Sequence, residues 1–102
     1  MARVSLTRQA TRHFEELPAR LREPVLNALT ELEIDPEAAG KPLLGRLKGL
    51  WSARVGNHRI IYSIQGSRRT PNVIVRAIQH RASAARFGRG LEAHLAEQRH
   101  LS

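Results

Sequence analysis

The chain has 102 residues, 11.5 kDa and a net charge of +8, which gives room for one domain over 1–102 with a single modest core. Its 41% hydrophobic and 25% charged content excludes a disordered chain, and the absence of cysteine excludes disulfides and thiolate chemistry. No apolar run reaches the roughly 20 residues that span a bilayer, and the first residues lack the apolar stretch of a signal peptide, so a cytoplasmic location is expected.

Arg3 to Leu6 is a short β-like run, expected at a sheet edge. Thr7 is placed to cap a helix by accepting a backbone N–H. Ala10, Phe14 and Leu17 then recur at helical spacing with Arg8, Arg12 and Glu15 outward, so an amphipathic helix is predicted from Thr7 to Leu17, closed by Pro18. A second helix carries Leu21, Val25, Ala28, Leu29 and Leu32 on one stripe and ends before Asp35-Pro36. Pro24 suits only a first turn, which predicts either a start near Glu23 or a kink there. Asp35 to Pro42 reads as a connector, and Leu43 to Leu47 is expected to run extended ahead of Trp51.

Trp51 to Val55 and His58 to Ile64 are β-prone runs separated by Gly56-Asn57, the signature of a tight hairpin. In that register Val55 faces His58, Arg54 faces Arg59, Ala53 faces Ile60 and Trp51 faces Tyr62. Side chains alternate across a strand, so Trp51, Ala53, Val55, Ile60, Tyr62 and Ile64 share an apolar face, and Arg54 and Arg59 share the other. Like charges directly opposite are unfavourable, and no carboxylate is near in sequence to relieve them; such a pair suits an anion or splays into water. Gln65 to Asn72 is a polar turn in which Arg68 and Arg69 read as solvated. Val73 to Ile78 is apolar on both sides and therefore an interior strand. After Gly88 and Gly90, Leu91, Leu95 and Gln98 leave a weak helical stripe. The order β-α-α-β-β-β predicts an α+β domain: two N-terminal helices on one face of a small antiparallel sheet, with room for a C-terminal helix and with arginines on the uncovered face.

Charge is segregated along the chain. Lys41, Arg46, Lys48, Arg54, Arg59, Arg68, Arg69, Arg76, Arg81, Arg86 and Arg89 lie between Lys41 and Gly90, a stretch without a single acid. Seven of the nine acids precede it, from Glu15 to Glu37. A cationic side built mainly of arginine, whose flat fork matches phosphate oxygens in pairs, points to nucleic acid before an acidic protein partner. His94 and His100 are too far apart for one helical face and no cysteine joins them, so no metal and no cofactor is expected. Trp51 and Tyr62 can stack bases, but their place on the apolar hairpin face makes them core residues first.

Lys41-Pro42-Leu43, Gly49-Leu50-Trp51-Ser52-Ala53-Arg54, Arg59-Ile60-Ile61-Tyr62 and Ile78-Gln79-His80-Arg81, following two helices, resemble the RelE/ParE superfamily of bacterial toxins, and within it the RelE-like mRNA endonucleases, over roughly Val4 to Phe87. The resemblance implies a type II toxin that enters the ribosomal A site and cleaves mRNA there without a metal, by 2′-hydroxyl attack. It implies an antitoxin partner over the basic surface, and operator DNA reached only through that antitoxin. By position Arg54, Arg59 and Arg81 match the family's basic catalytic residues. The remaining basic residues Lys41, Arg46, Lys48, Arg76 and Arg86, with Ser52 and Phe87, become the expected RNA and ribosomal-RNA contacts. Ser52 stands where relatives often have a second cation, and Ala85 or Phe87 where they have a late tyrosine. His80 is then the expected proton-transfer group and His58 a weaker one. The same scaffold also admits a ParE-like toxin that binds DNA gyrase, or a noncatalytic member that acts through its antitoxin.

Overall fold

A computed structural model describes residues 1–81. The predicted terminal helix, Arg86 and Phe87 lie outside the described residues. The strands and helices run β1 (Arg3–Leu6), α1 (Arg8–Glu15), α2 (Ala19–Ile34), β2 (Lys41–Pro42), β3 (Trp51–Val55), β4 (His58–Gly66) and β5 (Pro71–His80). The strands form one sheet in the order β1-β5-β4-β3-β2. The α+β reading holds, with two refinements. β1 joins β5 in parallel, making the sheet mixed, and Lys41–Pro42 adds a short fifth strand antiparallel to β3.

Local chemistry sets the element ends. Thr7 caps α1, its hydroxyl oxygen accepting the Ala10 N–H at 3.1 Å. α2 begins at Ala19, five residues before Pro24, and not near Glu23; Pro24 is carried inside the helix at the cost of the backbone bond its missing N–H would make. At the hairpin, Gly56 takes φ 57°, the left-handed value that the first central position of a type II′ turn demands. The β3/β4 register is the predicted one, with Arg54 opposite Arg59 and Trp51 opposite Tyr62. The Trp51 and Tyr62 rings are 6.3 Å apart between centroids.

The main core lies between the helices and the first sheet face. Val25 and Leu32 of α2 and Ala10 of α1 pack there with Ala53, Val55, Ile60, Tyr62, Val73, Val75 and Ile78. A bulge beside Tyr62 shifts the alternation in β5, because Tyr62 pairs Val75 while Ile61 pairs Ala77. Ala77 therefore turns to the second face, which is not bare. Leu43 to Leu47 does not run extended: Gly45–Leu47 forms a 3₁₀ turn, with Gly45 at φ 67°. That turn brings Leu43, Leu47 and Leu50 onto Ile61 and Ala77 as a second small core. The middle of the second face is thus covered, and its two ends stay polar.

Charge separates with the layers. Residues 7–40, the helices and their connections, hold seven acids and four arginines. The rest of the described chain holds ten basic residues and no acid. No helix of the described residues is long and apolar enough to cross a membrane.

Candidate nucleic-acid interface

The alternation that sends Ala53, Val55, Ile60 and Tyr62 inward sends Ser52, Arg54 and Arg59 to the second face. Lys41 pairs with Ser52 and so shares that face at the β2 edge. One cleft of about 660 Å³ collects these four with Ala38, Ala39, Gly40, Pro42 and Leu43. Among the described residues nine line it, three of them cations and none an acid, so the cleft is a ready seat for an anion. Arg54 and Arg59 face each other directly across β3 and β4.

The cleft wall is fixed from inside the core. The Tyr62 hydroxyl donates to the Pro36 carbonyl at 2.6 Å, which pins the connector leading to Lys41. A side chain at Gly40 would collide with that hydroxyl and with the Ser52 carbonyl, so glycine alone lets the connector approach β3 this closely. Burial, helped by the nearby Asp35 carboxylate, pushes the Tyr62 phenol up to about 12.

The other expected residues fall elsewhere. Arg76 donates to Ser63 Oγ from Nε at 3.4 Å and from Nη2 at 3.3 Å, farther along the sheet. Arg46 lies in the 3₁₀ turn and Lys48 just after it. Arg81 is exposed one residue beyond β5, its N–H donating to the Asn57 carbonyl at 2.6 Å, and does not line the cleft. His80 pairs with His58, which pairs with Val55. Directly paired residues share a face, so His80 stands on the helix side, across the sheet from Arg54 and Arg59. Its ring meets His58 edge-on at 5.1 Å between centroids. The adjacency of His80 and Arg81 in sequence does not carry over to the arginine pair, because successive residues of a strand point to opposite faces.

Sequence reasoning missed Gln79 and His13. Gln79 pairs with Arg59, extending the Arg54–Arg59 row to a third strand. The hairpin register alone did not reveal this, since it depends on the bulge in β5. His13 comes from α1 and accepts the Ile78 N–H at Nδ1, a contact that no local pattern signals.

His58 titrates below its ordinary value, first because of burial and then because His80 and Arg20 are near. Its Nδ1 is buried without a hydrogen-bond partner among the described residues. An unfolded histidine takes a proton near pH 6.5, which folded His58 resists, so this residue lowers stability as the pH falls through 6.5. His58→Gln is expected to flatten the fall in unfolding free energy between pH 7 and pH 5.5, read by urea denaturation at each pH. An identical slope in the variant would refute the assignment.

A profile of the ParE toxin of the type II toxin–antitoxin system, parDE, matches residues 4–85. Toxin RelG of Mycobacterium tuberculosis is 36% identical over 84 residues, spanning 81% of this chain and 94% of that protein. The chain belongs to the RelE/ParE family of type II toxins. Toxin RelE of the same organism is 32% identical over 72 residues, covering 70% of this chain and 74% of the relative. Among solved structures, the RelBE2 toxin–antitoxin complex of M. tuberculosis superposes with a TM-score of 0.69 at 32% identity, over 78% of this toxin and 96% of that chain. The YoeB/ParE toxin of Agrobacterium tumefaciens shares the fold at a TM-score of 0.66 and 24% identity, over 76% and 96% of the two chains.

Proposed function

We propose that this toxin is an endoribonuclease that cleaves mRNA in the ribosomal A site without a metal and so stops translation. The observation that carries the reading is the cleft in which Lys41, Arg54 and Arg59 stand with Ser52, with no acid among its described lining residues. In the proposed reaction the ribose 2′-oxygen attacks its adjacent phosphorus and the 5′-oxygen of the next nucleotide leaves. The products are a 2′,3′-cyclic phosphate and a free 5′-hydroxyl. Negative charge gathers on the phosphate oxygens in the transition state, and cations already fixed around them lower its energy without reorganising. Arg54 and Arg59 each offer a planar fork to those oxygens. Lys41 adds a third charge and the Ser52 hydroxyl a neutral donor. Arg81, one residue beyond β5 and outside the cleft lining, is the third arginine proposed for the clamp, and Arg46, Lys48 and Arg76 are proposed to hold flanking RNA or ribosomal-RNA phosphates.

Among the described residues the cleft supplies positive charge and no imidazole, which bears on the proton-transfer role expected of His80. His80→Gln is expected to cut ribosome-bound mRNA within about threefold of the wild-type rate, since general acid–base groups contribute 100-fold or more. A fall of that larger size would return the proton step to His80.

An antitoxin is the proposed partner, in keeping with the toxin–antitoxin complexes among the structural relatives. The basic sheet face is the surface proposed for it, and operator DNA is reached through it. Expression without the antitoxin tests the reading: arrested translation with mRNA cut on ribosomes is expected. The ParE description of the matched family favours one other reading, binding to DNA gyrase. DNA damage with translation intact would support that one instead. Loss of both effects would leave a noncatalytic toxin that acts through its antitoxin.

A further inference from the structure

β1 stops at Leu6, opposite Val75, and among the described residues no strand lies beside the rest of the outer edge of β5. His13 fills part of that gap, its Nδ1 accepting the Ile78 backbone N–H at 3.1 Å. A backbone N–H only donates, so Nδ1 is unprotonated and the ring proton sits on Nε2. Burial, the largest influence, holds His13 below its ordinary pKa and favours this neutral ring, with Glu16 opposing and Arg12 assisting. The carboxamide nitrogen of Gln79 lies 3.2 Å from His13 Nε2. Because Nε2 carries a proton, the hydrogen bond forms with the amide turned by half a revolution, its oxygen toward the ring. The two amide N–H groups then point away from His13. Gln79 ends a row whose other members are Arg59 and Arg54, on strands spaced about 4.8 Å apart.

We propose that Gln79 is a specificity-determining residue that donates from its amide to a base-edge acceptor of bound single-stranded RNA, and that His13 is the positioning residue that holds this amide. The inference rests on the RNA-cleavage reading. With a phosphate on Arg54 and Arg59, the neighbouring strand position lies where the attached nucleoside extends. Gln79 is not among the cleft-lining residues that surround the phosphate, where the guanidiniums and Ser52 already supply donors. It suits a base, whose edge is uncharged and offers carbonyl and ring-nitrogen acceptors. With its oxygen held toward His13, Gln79 turns its two N–H donors outward, and so favours edges rich in acceptors over those that expose an exocyclic amine.

The test compares cut-site profiles on ribosome-bound mRNA for the full chain and its variants. Gln79→Ala is expected to redistribute cleavage among codons by roughly tenfold, the size of one base contact. His13→Asn keeps an acceptor for the Ile78 N–H while losing the Gln79 contact; it is expected to shift the profile in the same direction with its melting temperature unchanged. A Gln79→Ala profile identical to wild type, or lowered equally at every site, would overturn the inference. An independent readout uses ¹⁵N-labelled protein and a short single-stranded RNA blocked by 2′-O-methyl groups. Shifts at the Gln79 amide together with Arg54 and Arg59 Nε are expected, and shifts at the arginines alone would refute the role of Gln79. If Arg59→Ala cuts as wild type, or none of the three side chains responds to RNA, the RNA reading fails and takes this inference with it.

Discussion

Arg59→Ala is expected to lower the single-turnover rate of mRNA cleavage on ribosomes by roughly 100- to 1,000-fold, the loss that follows removal of one preorganised donor from a developing oxyanion. The size follows from position. Arg59 lines the cleft and stands opposite Arg54, and no carboxylate is among the described lining residues to share its charge. Arg59→Lys keeps the charge but loses the paired fork and is expected to fall between the two. Stability should move the other way. Two like charges opposite each other in a sheet oppose folding, so the alanine variant is expected to gain a few tenths to about 1 kcal/mol. Slower cutting with equal or greater resistance to urea is the signature of a residue kept for its ligand. Cleavage at the wild-type rate, mapped by primer extension, would remove Arg59 from the mechanism.

Tyr62→Ala is expected to be the most damaging core change, costing about 3–5 kcal/mol through the cavity it leaves and lowering the melting temperature by about 15 °C or more. Tyr62 is fully buried and sits in the main core beneath the connector that carries Gly40 and Lys41. Tyr62→Phe isolates the hydroxyl. It keeps the ring and strands the Pro36 carbonyl, a loss of about 1–3 kcal/mol. The two differ in pH dependence as well. Folded Tyr62 holds its proton up to about pH 12, whereas an unfolded tyrosine releases it near 10. Between those values the native state binds more protons than the unfolded one, so stability falls as the pH climbs. Urea unfolding at pH 9 and pH 11 should show a loss attributable to Tyr62 in the wild type that the phenylalanine variant lacks. Equal losses in both proteins would contradict the raised pKa that burial gives the Tyr62 phenol.

Much of this scaffold was legible in the sequence because the relevant signals are local. Thr7 three residues before Ala10, the apolar stripe through Val25 and Leu32, and Gly56-Asn57 between two β runs each specify a conformation over a few residues. The alternation from Trp51 to Ile64 then assigned faces, and with them the facing Arg54 and Arg59. What escaped was decided by distant partners. The 3₁₀ turn at Gly45–Leu47 exists because Ile61 and Ala77 need a cover, and Ala77 needs one because a bulge turned it outward. Lys41 joins the cleft through a two-residue strand too short to show a period. His80 was read beside Arg81 along the chain, but pleating put it against His58 on the far side of the sheet.

The division of charge between the two layers has a kinetic outcome. A body with seven acids and four arginines on one side, and ten basic residues with no acid over the remainder of the described chain, carries a large permanent dipole. In the field of a polyanion such a dipole feels a torque as well as a pull, so the molecule is rotated sheet-first during its approach. Encounter should therefore be fast at low ionic strength and slow steeply as added salt shortens the Debye length.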